Sequence, residues 1–296
     1  MLTGLATRLR PEYLLRPRQV LVRIGRAFGE RPQSAVVGLP WRLPLEIRPR
    51  DRAGVSAAVW RSGVHDLPLS EALWRLTPRG GLAIDAGANI GYATGILALR
   101  VGNEGKVLAF EPMPSTAAIL RRNGAAMTRA AASGAVVIRP VALSDRCGWG
   151  SLYAGPETVA NPGVAHLSEE TESTIPVELV TLDVEVSAPE VVSVLKIDVE
   201  GHELPVLQGA QRLLAEHRVG VIVYESFEAR REAVEELLAG HGYTVFGLGR
   251  TLRGPCLVPR GSEPPRLGFE PPNYIATIEP DRVRAQMKGG GWYCLK

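Results

Sequence analysis

An α/β domain built on a mostly parallel sheet is the fold this sequence predicts, and three observations predict it. From Leu82 onward short apolar runs alternate with helical patterns, the signature of strands joined by crossover helices. One of those runs ends in "IDAGANIG" at 84–91, a glycine turn that closes a strand and opens a helix, where backbone can approach a ligand. Glu111 then stands at the end of the next strand, where a carboxylate can accept hydrogen bonds from both hydroxyls of a ribose.

Residues 1–75 are rich in proline and arginine and read as an N-terminal extension packed on the core. Within them "RQVLVRIGRAF" puts Val20, Leu21, Ile24 and Phe28 on one helical face and Arg18, Arg23 and Arg26 elsewhere. A helix lying on a membrane surface is one reading; a helix whose apolar face packs on the main domain and whose basic face is solvated is the one adopted. Residues 76–280 form the main domain. Its strands fall at "GLAIDAG", "KVLAFEP", "AVVIRPVAL", "VVSVLKID" and "GVIVYES", and near "YTVFGL" and "NYIATI", about seven in all. Helices fall at "IGYATGILALRV", "STAAILRRNGAAM", "LPVLQGAQRLLAEH" and "EARREAVEELLAGHG". Residues 147–183 interrupt the alternation; "SLYAG" and "VELVTL" there can pair as antiparallel strands, and the segment reads as a flap over the active face. Residues 281–296 are a C-terminal tail.

Composition narrows the function. The chain has 296 residues, 45% of them hydrophobic, enough for a real core. A net charge of +3, carried almost wholly by arginine, is too mild to argue for nucleic acid. Cys147, Cys256 and Cys294 are far apart, with no CxxC pair, and read as free thiols of a reducing compartment. No stretch approaches the ~20 apolar residues of a transmembrane helix, and a cytoplasmic protein is expected.

The glycine turn departs from the dinucleotide fingerprint. Its spacing is G-x-x-x-G rather than G-x-G-x-x-G, and Asp85 directly precedes it. A carboxylate there would repel a pyrophosphate and suit a cationic ligand, such as the amino acid and sulfonium portion of S-adenosylmethionine (SAM). Asp85, Gly87, Asn89, Gly91, Glu111 and Pro112 are therefore assigned to cofactor binding.

With "AFEPMPS", "VALSD" and "LKIDVEGHELPVLQGA" following in order, residues from about Gly63 to Ile278 resemble the FkbM-type SAM-dependent methyltransferases. The resemblance implies a class I methyltransferase fold, Rossmann-like, with seven strands of which the last is antiparallel. It also implies O-methylation of small molecules or sugars and places Ser144 and Asp145 beside the adenine.

In "LKIDVEGHE" four ionisable side chains, Asp198, Glu200, His202 and Glu203, crowd in directly after the apolar run of a buried strand. In an open α/β sheet ligands bind at the carboxyl ends of the strands, so this cluster falls where a methyl donor would meet its acceptor. His202 is taken as the base because its ordinary pKa lies near neutrality, and it is expected beside the acceptor, out of reach of the adenosine. Asp198 or Glu200 could instead bind the acceptor, act as the base or hold a divalent metal; Glu203 could simply favour the start of the next helix. Glu225 is placed at another strand end near the acceptor, and His65 and Asp66 cap a helix or lie over the cofactor. A small hydroxylated acceptor is the expected partner. The competing readings are an NAD-dependent oxidoreductase, disfavoured by the glycine spacing and Asp85, and a non-catalytic binding module, disfavoured by the retained glycines and acids.

Overall fold

The computed structural model describes residues 11–51, 53–129, 134–153, 155, 166–167, 174–267 and 270–296; for Ala27, Glu228 and Ala229 the backbone alone is described. The described residues open with helices α1 (Pro11–Leu14) and α2 (Arg18–Phe28), an antiparallel hairpin of β1 (Ala35–Gly38) and β2 (Pro44–Ile47), and helices α3 (Gly54–Ser62) and α4 (Leu67–Leu76). Then β3 (Leu82–Ala86), α5 (Tyr92–Val101), β4 (Lys106–Phe110), α6 (Pro114–Arg129) and β5 (Ala135–Arg139) alternate. The proline of "AVVIRPVAL" divides that run into β5 and a separate β6 (Ala142–Leu143), because proline has no N–H to continue a ladder. Next come β7 (Gly148–Tyr153), β8 (Thr174–Val180), α7 (Leu182–Glu185), β9 (Val192–Ile197), α8 (Glu203–Gln208), α9 (Gln211–Ala215), β10 (Val219–Glu225) and α10 (Glu228–Gly240). The chain closes with β11 (Thr244–Thr251), β12 (Gly254–Pro259), β13 (Asn273–Thr277) and α11 (Pro280–Met287).

The main sheet has strand order β12-β11-β13-β10-β9-β3-β4-β5. Five neighbouring strands, β10 through β5, are parallel, and β13 is antiparallel to both β10 and β11. The sheet therefore contains the expected seven strands with an antiparallel last one, and an eighth, β12, extends it as a hairpin partner of β11. β3 lies centrally: the chain moves outward through β4 and β5, then returns to its other side with β9. That reversal puts the carboxyl ends of β3 and β9 side by side at a topological switch point, where such sheets bind ligands.

Alternation along the strands feeds two cores. Ala83, Val194, Val221 and Val223 face α4, α5 and the β1–β2 hairpin, whereas Ile84, Leu195, Ile197 and Ile222 face α8, α9 and α10. Both faces of β9 are covered, which is why its sequence is a nearly unbroken apolar run. β7 pairs antiparallel with β8, and β6 pairs parallel with it, in a separate three-stranded sheet. Much of the segment expected to be a flap lies outside the described residues.

The α2 helix reverses the orientation expected of it. Phe28, Leu21 and Ile24 are 89%, 70% and 51% exposed, and its polar side meets the body of the protein. Arg26 donates to the Trp60 carbonyl at 2.8 Å with its guanidinium 4.1 Å from the Trp60 ring, a contact that satisfies a cation better than apolar packing would.

The C-terminal tail is stitched into the core. Trp292, Cys294 and Leu295 are buried, and Arg75 of α4 gathers the carbonyls of Gly289 (2.6 Å) and Gly291 (2.8 Å). Glu71 pairs with Arg75 at 2.6 Å and accepts the Cys294 N–H at 2.9 Å. Both charges are almost wholly withdrawn from water, so losing one strands the other. Arg75→Met is expected to lower unfolding free energy by about 3–5 kcal/mol in chemical denaturation, with early hydrogen exchange of residues 286–295.

Candidate active site

The site is built where β3, β4 and β9 end. Gly87 (φ +72) turns the chain directly after β3, and a Cβ there would lie 1.7 Å from the Asp198 carbonyl, so only glycine lets the β3 and β9 loops approach. Asn89 also takes a left-handed conformation, tolerated best by asparagine among residues with a side chain, and its side-chain oxygen accepts the Ile90 N–H at 2.8 Å. Gly91 (φ +96) then starts α5.

Glu111 is 8% exposed and held by the backbone. Its Oε2 accepts the Asn89 N–H and its Oε1 the Met113 N–H, each at 2.9 Å. Each carboxylate oxygen retains capacity for a second bond. Burial raises the Glu111 pKa to about 7, the backbone donors opposing the shift.

Asp85 does not face the cavity. It is fully buried, with Oδ1 3.0 Å from Lys196 Nζ and Oδ2 accepting the Thr94 hydroxyl at 2.6 Å. The reason is register: Asp85 of β3 is paired with Lys196 of β9, a residue that the sequence reading left unassigned. Lys196 also donates to the Gly87 carbonyl at 2.8 Å and lies 3.5 Å from Asp198 Oδ2. Burial opposes its charge, but Asp85 and Asp198 more than offset that, and its pKa lies above the usual lysine value. The expected direct contact of Asp85 with a cationic cofactor is thus replaced by an ion pair that fixes the glycine turn.

A cavity of about 640 Å³ opens over this turn. Gly87, Asn89, Glu111 and Pro112 from the β3 and β4 loops line it together with Asp198, Val199, Glu200 and His202 from the β9 loop. Phe110, Val141, Ala142, Leu143, Leu152 and Leu167 supply an apolar wall, with His166 beside it. The sequence reading missed these apolar residues, since a wall residue and a core residue look alike in sequence. Ser144 and Asp145 do not line this cavity. Ser144 is buried, and its Oγ lies 3.0 Å from both Asp145 Oδ1 and His202 Nε2. The expected separation of His202 from the residues assigned to the adenine therefore does not exist. The loop from β9 folds back over the sheet and carries the imidazole to Ser144. Burial pushes the His202 pKa down, with Asp145 opposing.

Glu200 sits at the rim with φ +51. Loss of surrounding solvent and the charges of Asp198 and Glu203 raise its pKa to about 7. Glu203 is buried and accepts the Gly201 N–H at 2.8 Å, a local brace for the loop. Nearby, Glu225 is pushed up to about 10 by burial and by Asp198, Asp66 and Glu200. Asp66 caps α4 through the Leu69 N–H (3.0 Å) and holds the Asn273 side-chain amide (2.6 Å). Asp66 and His65 also line a second cavity, of about 1190 Å³, and both feel the Asp198 charge. Among the described residues no three His, Cys, Asp or Glu are grouped to hold a metal ion.

The sequence profile described as the methyltransferase FkbM domain matches residues 85–245, more than half of the chain. The chain belongs to the FkbM methyltransferase family. With a methyltransferase family shown, the oxidoreductase alternative falls away. The braced Glu111 carboxylate, the close glycine backbone and the apolar wall suit an adenosine group. A comparison with curated proteins finds no match. Among solved structures, the FkbM methyltransferase of Methylobacillus flagellatus shares 14% identity at TM-score 0.44, covering 67% of this chain and 43% of its own. This chain thus spans less than half the length of that protein. A SAM-dependent O-methyltransferase from Thermotoga maritima shares 16% identity at TM-score 0.41, over 72% of this chain and 65% of its own. Aeropyrum pernix fibrillarin, solved with bound SAM, shares 11% identity at TM-score 0.41, over 84% of this chain and 95% of its own.

Two outcomes are expected. If the ionised Glu111 carboxylate is the form that accepts the ribose hydroxyls, SAM affinity by calorimetry falls about tenfold per pH unit below pH 7, and Glu111→Gln weakens binding and flattens that dependence. Lys196→Met leaves Asp85 buried without its partner and costs about 3–5 kcal/mol of stability; the double change Asp85→Leu, Lys196→Met recovers most of it in thermal melts while SAM binding stays weak.

Proposed function

We propose that this methyltransferase acts on a hydroxyl group of a small molecule, a sugar or a secondary metabolite. The observation that carries the reading is the pair of carboxylates, Asp198 and Glu200, that line the same cavity as Glu111. Bound SAM supplies a methyl group already activated by its sulfonium. The protein therefore has to orient the acceptor oxygen and remove its proton.

In this reading Glu111 accepts the ribose hydroxyls, and Gly87, Asn89, Gly91 and Pro112 shape the turn around the cofactor. Ser144 and Asp145 act on the adenine side through their contact with His202. Asp198, held by Lys196, orients the acceptor hydroxyl, and Glu200 takes its proton. A carboxyl whose pKa is near 7 is both ionised often enough and basic enough for that step. His202 belongs to the cofactor side, in contrast to the role its ordinary pKa suggests.

The test is a methyl-label transfer screen over hydroxylated acceptors, followed by two variants. Glu200→Gln is expected to lower kcat ~100- to 10,000-fold with SAM affinity kept, and the wild-type acid limb in kcat/KM should lie near pH 7. His202→Ala is expected to weaken SAM binding first. If His202→Ala instead loses turnover with unchanged SAM affinity while Glu200→Gln stays active, the imidazole is the base. Methylation of amines in place of hydroxyls would overturn the O-methylation reading.

A further inference from the structure

The α2 helix presents its apolar side to solvent. At about 100° per residue, Val20, Leu21, Ile24 and Phe28 share an arc of roughly 100°, and Gln19, Arg23 and Arg26 lie roughly opposite. That polar side is the one facing the protein. Arg26 packs on Trp60, Gln19 lies against Gly63, where an added Cβ would come within 2.8 Å of its amide nitrogen, and Arg23 reaches the Tyr13 hydroxyl at 2.7 Å. The exposed apolar surface is preceded by Leu14 and Leu15, 61% and 52% exposed. Soluble surfaces scatter large apolar side chains singly, whereas here they form one helical face.

We propose that this face docks the protein on the surface of an anionic lipid bilayer. Charge selects that occupant. Besides Arg23 and Arg26, which face the body, residues 13–34 contain Arg16, Arg18 and Arg31 and a single acid, Glu30. An apolar face flanked by arginine is what an interfacial helix offers to acyl chains and to anionic headgroups. A second copy of the chain would instead bring arginine clusters together, and like charges across an interface oppose association. The α2 helix has 11 residues, about 16 Å long, and no described helix is long and apolar enough to cross a membrane. It lies on the bilayer rather than through it. The helix takes no part in the cofactor cavity, so docking is independent of the methyl transfer proposed above.

The full chain is floated with vesicles of phosphatidylcholine alone and of phosphatidylcholine with 30% phosphatidylglycerol. Binding is expected to the second only, and to weaken in high salt. Phe28→Glu should lower the partition coefficient roughly 10- to 100-fold, and Arg18→Gln about fivefold. Both side chains are exposed, so thermal melts and SAM binding should match wild type. The proposal is overturned if wild type does not bind anionic vesicles at low salt, or if Phe28→Glu binds as well as wild type. It is also overturned if sedimentation equilibrium shows a dimer that Phe28→Glu dissociates while vesicles recover no protein.

Discussion

The buried contact between Lys196 and Asp85 holds the two halves of the site in register. These residues are paired on neighbouring strands, one on each side of the point where the chain reverses direction across the sheet. The ammonium reaches past Asp85 to the carbonyls of the glycine turn and to Asp198. One cation thus fixes the turn that approaches the cofactor and the carboxylate proposed to meet the acceptor. A buried lysine survives ionised only when its neighbours outweigh the cost of leaving water, and here two carboxylates and two carbonyls do so.

Around that contact the protein separates tasks by depth. Glu111 is held by two backbone donors before any ligand arrives, which lowers the cost of ordering the ribose proposed to bind against it. Glu200, on a loop residue with positive φ, lies at the rim, where its titration remains sensitive to what binds. The terminal segments frame the same domain from outside. The β1–β2 hairpin and the last buried residues of the chain share one core with α4 and α5, so the regions before and after the cofactor motifs are part of the folding unit. The α2 helix departs from that rule, turning apolar side chains outward.

Much of this was legible in the residues. The strands from "GLAIDAG" to "NYIATI" were readable because burial on both faces leaves an apolar run that glycine, proline or a charge ends abruptly. The tight turn and the acid beside it were readable in Gly87, Gly91 and Glu111, whose backbone freedom and position at a strand end have local causes. β12 was not, because its run "GPCLVP" carries two prolines and becomes a strand only as the hairpin partner of β11 at the sheet edge. The orientation of α2 was not legible either. A helical wheel separates two faces but does not say which one meets the body, and here Trp60 and Gly63 select the polar one.

By itself the sequence determined the alternating α/β plan, the glycine turn with an acid at the end of the next strand, the FkbM resemblance and the crowding of acids after β9. Each follows from local periodicity or from a residue type required at one backbone position. Only the tertiary structure decided what those acids face. Asp85 is turned to a lysine more than a hundred residues away, Ser144 to His202, and Glu225 to Asp66 and Asp198. Strand register and loop path set those partnerships. A carboxylate's chemistry depends on its nearest charge and on access to water, and neither is encoded near it in the chain.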